Sequence, residues 1–257
     1  MQESYGLEQL HQSLLKALVK LDEICRNHDI KYSLCGGTLL GAERNQRFIP
    51  WDDDADLCME RDEYEKLDKV VTELQDSSYY MEKNVLWVPR FVYKDGETTV
   101  FVDIFIWDYI SEKSWQRQCK INLLRFVQGM MKSSVDYQRY GTFQKLLLFV
   151  SYNFGKMFSK EVKRNIYEKV SKDVFVGKKG YVHCSNDTFQ GLKYIFDKDY
   201  VGNYIDIALE NKVFMANERY KESLINYYGE DYLTPPPVSE RKPAHQGLLE
   251  TLSKRAN

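Results

Sequence analysis

Four carboxylates occupy five positions in the run Asp52-Asp53-Asp54-Ala55-Asp56, and a glycine pair, Gly36-Gly37, lies a short way upstream. Like charges this close repel and raise one another's pKa, so a hard cation that accepts oxygen ligands is the simplest compensation. The stretch therefore reads as a divalent-metal site. In Asp54-Ala55-Asp56-Leu57-Cys58-Met59, strand periodicity sends Asp54 and Asp56 to one face and Ala55, Leu57 and Met59 to the other. Asp52 and Asp53 would then tune the primary ligands from beside them. A bare Gly-Gly is usually a turn, and an acidic run between elements is usually a solvated loop. Here Trp51 and the apolar alternation bracket the charges with core-type residues, which argues against the loop.

The flanks indicate what must hold these groups. Residues 30–35 are strand-like, Gly36 and Gly37 permit a tight turn or close approach of a ligand, and residues 38–44 can open a helix. A helix N-terminus after glycines can cradle phosphate, which makes Gly36, Gly37 and Thr38 candidate donors. Upstream, Leu7, Leu10, Leu14, Leu18, Leu21, Ile24 and Cys25 are spaced as the apolar stripe of an amphipathic helix. His11 and His28, on or near that helix, read as ordinary surface or helix-end residues. Residues 62–74 read as a second helix with acids in its first turn, where the helix dipole favours them. Asp95-Gly96 between residues 87–94 and 97–108 predicts a β-hairpin. On its second strand Val102, Ile104 and Ile106 share one face and leave Asp103 on the other with Phe101 and Phe105. By periodicity a structural salt bridge satisfies that carboxylate as well as a metal would. Asp108 reads as a turn or cap at the strand's end.

The order Gly-Gly-Thr-Leu-Leu-Gly-Ala-x-Arg, followed by Ile-Pro-Trp-Asp-Asp-Asp-x-Asp, resembles the signature of the LicD family of phosphotransferases, bacterial relatives of fukutin and fukutin-related protein. Residues 102–105, and the run Tyr228-Gly229-Glu230-Asp231-Tyr232 through Pro235-Pro236 to Arg241 and His245, are similar to the family's later landmarks. The likeness covers most of the chain, weakly between residues 111 and 200. It implies an α/β (α+β) nucleotidyltransferase-like fold, a mixed sheet flanked by helices. In that fold Asp54, Asp56 and, from a later strand, Asp103 would hold one or two Mg²⁺, or Mn²⁺ in its place. It implies transfer of a phospho-alcohol, phosphocholine first among them, from CDP-choline or another CDP-alcohol, with release of CMP. The acceptor would be a hydroxyl of a cell-surface glycan such as lipopolysaccharide or teichoic acid, or of its lipid-linked precursor. Arg44, Arg90 and Lys94 would join the glycines on the donor phosphates, and Asp103 or Asp52 would take the acceptor's proton. Asp53 would contact substrate, as would Arg241 or His245 if the tail folds over the site.

The chain has 257 residues, 43% of them hydrophobic, which suits one large domain or a domain with an appended subdomain. A net charge of -2 excludes a generally basic nucleic-acid binder. The five cysteines are odd in number, lack paired metal spacing and read as reduced thiols, and with neither a signal peptide nor a membrane-length apolar run the expected location is cytoplasmic. Residues 111–172 differ in character, with 13 Lys or Arg against 4 Asp or Glu, a formal +9. Aromatic and aliphatic residues interleave with these cations and predict two or three helices. They form either a solvated insertion packed on the core or a peripheral contact with anionic lipid on the inner face of the cytoplasmic membrane. The organisation expected is a catalytic core over 1–110, a basic helical insertion over 111–180, and a C-terminal part over 181–257 that completes the core and supplies an active-site tail. Within that part, residues 205–209 and 213–216 flank a turn, Asn217 caps a helix over 218–228 that Gly229 ends, and His183 reads as structural. The rival functions are a nucleotidyltransferase, a sugar-nucleotide glycosyltransferase, and a non-enzymatic lipid-binding module with a structural cation.

Overall fold

The apolar stripe of the first predicted helix is buried along one side of α1 (Glu8–Asn27), where Leu10, Leu14, Leu18, Leu21, Ile24 and Cys25 all face inward. The computed structural model describes residues 5–83, 87–135, 137, 141–177 and 180–243. The chain divides into two units, one of residues 1–82, 90–104 and 202–257, the other of residues 83–89 and 105–201.

The architecture is α+β, a mixed sheet flanked by helices. In the first unit β1 (Ser33–Leu34), β2 (Asp56–Glu60), β3 (Tyr79–Glu82), β4 (Arg90–Asp95) and the first half of β5 (Thr98–Ile110) stand in the order β1-β2-β5-β4-β3. Between them run α2 (Gly36–Asn45) and α3 (Arg61–Leu74). The predicted hairpin forms as β4 and β5, with Gly96 at φ +62° in the turn, a conformation that costs glycine nothing. Val100, Val102 and Ile104 point into the core and leave Phe101, Asp103 and Phe105 on the other face. The Asp103 N–H donates to Ala55 O at 2.9 Å, which sets this part of β5 beside the acidic run.

A second, two-stranded sheet pairs β8 (Tyr204–Leu209) with β9 (Lys212–Asn217) about a turn at Glu210 and Asn211. It is tied to β1 and its approach by Asn217 N–H to Ser33 Oγ at 2.8 Å and Met215 N–H to Tyr32 Oη at 3.3 Å. Asn217 Oδ1 accepts from Arg219 N–H at 2.7 Å just ahead of α7 (Tyr220–Tyr228), and Gly229, at φ +87°, ends that helix.

In the second unit the later half of β5 pairs with β6 (Tyr181–Cys184), which pairs with β7 (Ile195–Asp197). The basic segment forms three helices, α4 (Ser114–Met131), α5 (Thr142–Gly155) and α6 (Lys160–Asp173). Ile110, Ile121, Leu124, Val127, Tyr167 and Leu192 form a buried cluster to which α4 and α6 contribute. Asp108 is a correction: it is a buried strand residue opposite His183 and accepts from Ser185 Oγ, because β5 continues to Ile110 instead of turning there. His183 is fully buried, and burial, then the Lys120 charge, pushes its pKa down to about 3. Among the described residues no helix is long and apolar enough to cross a membrane.

Candidate active site

The turn from β1 into α2 is built by Cys35 in an extended conformation followed by Gly36 at φ +56°. A Cβ on Gly36 would run into the Asp56 carboxylate, and one on Gly37 would run into that of Asp52. The glycine pair therefore lets the protein's own carboxylates lie against the first turn of α2. The unpaired N–H groups and positive dipole end at a helix N-terminus stabilise such anions. Thr38 is buried, and its Oγ1 accepts from Asp56 N–H at 2.9 Å, so its hydroxyl fastens α2 to β2. The Cys35 N–H, donating to Asp56 O at 3.2 Å, adds a second tie.

The acidic run enters through a turn closed by Asp52 N–H to Ile49 O at 2.9 Å. From α1, His11 Nε2 bonds Asp52 O at 2.7 Å, and the imidazole stacks on Phe48 with ring centroids 5.0 Å apart. Asp52, Asp53 and Asp54 each offer an oxygen within 4.8 Å of the others. Burial, then the charge of Asp54, pushes the Asp52 carboxyl up to about 8. Among the described residues its buried Oδ2 has no hydrogen-bond partner. Converging carboxylates, one of them with an unsatisfied oxygen, are donors of the kind a hard divalent cation accepts, and of the three ligands expected only Asp54 belongs to this group among the described residues.

Asp54 and Asp56 are half-buried and alternate with the buried Ala55 and Leu57, as the periodicity predicted; β2 itself begins only at Asp56. Asp56 leans over Gly36 and lies outside the group of three. Asp103 faces its cross-strand neighbour Arg90, whose Nε sits 2.6 Å from Oδ1. This is the salt bridge that periodicity allowed for Asp103. Arg90 also covers the Phe101 ring at 3.8 Å, which commits its guanidinium within the sheet. Lys94 Nζ lies 5.7 Å from the Tyr80 ring centroid. Arg44 turns toward the C-terminal segment, its Nε donating to Tyr232 O at 2.6 Å and its Nη2 to Thr234 O at 3.2 Å. Arg241 donates from Nε to Pro236 O at 2.9 Å and rests 5.1 Å from the Trp51 ring centroid. The tail thus reaches Trp51, the residue before the acidic run, through Arg241; His245 lies outside the described residues.

A cavity of about 370 Å³ opens beside Gly37 and Asp52, walled by Trp51, Tyr228, Tyr232 and Arg44. Burial, followed by the charges of Asp56 and Asp52, raises the Tyr228 phenol pKa. Sequence reasoning placed Tyr228 and Tyr232 in a landmark run without giving them a role, and it read His11 as an ordinary surface or helix-end residue, whereas the imidazole is half-buried and bonded to Asp52 O. The contacts of His11 span 41 positions, a separation at which local periodicity carries no signal.

The family model described as "LicD/FKTN/FKRP, nucleotidyltransferase domain" matches residues 29–216. The lipopolysaccharide cholinephosphotransferase LicD of Haemophilus influenzae is 27% identical over 245 residues, an alignment covering 86% of this chain and 89% of that protein. An uncharacterized protein of Rickettsia typhi is 30% identical over 76 residues, which cover 30% of this chain and 25% of that one.

Proposed function

The chain belongs to the LicD family of nucleotidyltransferase domains, and from that premise we propose that it transfers phosphocholine from CDP-choline to a hydroxyl of a cell-surface glycan or its lipid-linked precursor, releasing CMP. The observation that carries the reading is the packing of Asp52 and Asp56 against the glycine turn of α2, with Asp53 and Asp54 between them. A resident Mg²⁺, held by Asp54 and Asp56 with Asp52 or Asp53 beside them, would neutralise charge on the donor diphosphate and the leaving CMP. Asp103, on the strand hydrogen-bonded to Ala55, is the third ligand we assign. The first turn of α2 directs main-chain N–H groups toward the donor phosphates. Asp52, next to the cavity, accepts the proton of the acceptor hydroxyl. The aromatic wall of Trp51, Tyr228 and Tyr232 suits a quaternary ammonium group, which binds to ring faces through their quadrupoles.

The test is CMP release from CDP-choline, CDP-ethanolamine, CDP-glycerol and CDP-ribitol, each with Mg²⁺ and with chelator, plus mass analysis of the glycan product. Chelator-sensitive release from CDP-choline and a phosphocholine adduct are expected. A nucleotide adduct on the acceptor would make the protein a nucleotidyltransferase. Binding without turnover of any donor would overturn the enzymatic reading altogether.

A further inference from the structure

Helix α5 is packed with its polarity inverted. Its inner face meets α4 through small groups: Gly129 sits against the buried Ser151, Gly155 against the main chain of Met130, and Leu148 fills the space beside them. Its outer face carries Leu146, Phe149, Val150 and Phe154, exposed by 62, 56, 49 and 45%, and Met157 just past its end is exposed by 77%. At about 100° per residue the four helical positions fall within one arc of roughly 140°; Leu146, Phe149 and Val150 lie away from α4, and Phe154, at the edge of the arc, also meets the rings of Phe126 of α4 and Phe158. A surface helix normally turns such a stripe toward the core, and contiguous exposed apolar area of this kind marks an interaction site.

The charges around the stripe decide what covers it. Lys145 and Lys156 flank it and are exposed, and Lys160 follows at the start of α6. From Tyr137 to Lys160 the sequence contains no Asp or Glu. A second copy would bring the same cations against these, whereas an anionic lipid surface offers both an apolar interior for Phe149 and Leu146 and headgroups for the lysines.

We propose that the outer face of α5 lies in the headgroup region of an anionic bilayer, with Leu146, Phe149, Val150 and Phe154 inserted and Lys145 and Lys156 on the phosphates. The full chain should co-sediment with vesicles rich in phosphatidylglycerol, bind neutral phosphatidylcholine vesicles at least tenfold more weakly, and be released between 0.1 and 1 M salt, over which the Debye length shrinks from about 10 to 3 Å. Lys145→Glu and Lys156→Glu should each weaken partitioning about fivefold or more, since each cation near an anionic surface contributes on that scale. The Leu146→Gln/Phe149→Gln pair, both on exposed positions, should abolish binding while thermal unfolding and CMP release from CDP-choline in the presence of a soluble acceptor stay at the level of the parent. Absence of binding to anionic vesicles at low salt would overturn the proposal, and so would full binding by the glutamine pair. Self-association in sedimentation velocity that the glutamine pair removes would overturn it too, by assigning the face to a second copy.

Discussion

Gly37→Ala tests whether the carboxylate arrangement, more than the fold, carries the activity. A Cβ there would overlap Asp52 Oδ2 and stand 3.0 Å from Asp52 Cγ. Carbon atoms prefer roughly 3.5–4.0 Å, so the carboxyl carbon must retreat by about 0.5–1 Å and the oxygen farther. Gly37 has no left-handed backbone requirement, and alanine in a helix is favoured over glycine by about 0.5–1 kcal/mol, so helix α2 itself tolerates the change. The clash is with a side chain, and His11 still anchors the Asp52 main chain at 2.7 Å. The expected result is a melting temperature near that of the parent with kcat/KM for CMP release reduced about 100-fold, the scale on which a reacting group is displaced by an ångström. Gly36→Ala should differ, because the φ of +56° adds backbone strain to the clash with Asp56 and should lower stability as well. The assay pairs thermal unfolding with turnover at saturating Mg²⁺. Turnover within threefold of the parent in Gly37→Ala would refute the assignment of Asp52 to the site.

Asp54→Asn and Asp56→Asn should each cut turnover by at least ~100-fold with little change in unfolding temperature, since a ligand charge is lost and no core packing; near-normal activity at saturating Mg²⁺ would sink the metal assignment. Asp103→Asn should raise the Mg²⁺ concentration needed for half-maximal rate and, by leaving Arg90 opposite a neutral amide in a pair only 22% and 14% exposed, cost roughly 1–3 kcal/mol of stability. Stability loss with an unshifted Mg²⁺ dependence would mark Asp103 as a purely structural partner. His183, with its folded pKa near 3, stays neutral while the unfolded chain takes up a proton below about 6.5, so stability should fall by up to ~1.4 kcal/mol per unit as the pH drops from 6.5 toward 3. Chemical denaturation of His183→Asn over that range should give a correspondingly shallower slope, and an unchanged slope would remove His183 as the cause.

What could be read from the sequence was what short-range physics writes into it. The stripe of α1, the Gly96 hairpin and the alternation of Asp54 and Asp56 with Ala55 and Leu57 each depend on neighbours within a few positions, where a period of 3.6 or 2 identifies the buried face. The site's cross-chain partners obey no such period. Arg44 was placed on the donor phosphates by the family resemblance alone, and its guanidinium donates to the carbonyls of Tyr232 and Thr234, 188 and 190 positions away. Asp103 stood equally well as ion-pair partner or metal ligand, since a carboxylate on a strand face is satisfied by any cation opposite it, and only the register of β4 puts Arg90 there. The glycine pair is the instructive case. Sequence logic allowed Gly36 and Gly37 either a tight turn or the close approach of a ligand, and in the fold the space above them receives Asp56 and Asp52. Missing Cβ atoms announce a close approach without saying which atoms approach, so the same pair serves the acidic cluster directly and the donor phosphates only through the helix turn it begins.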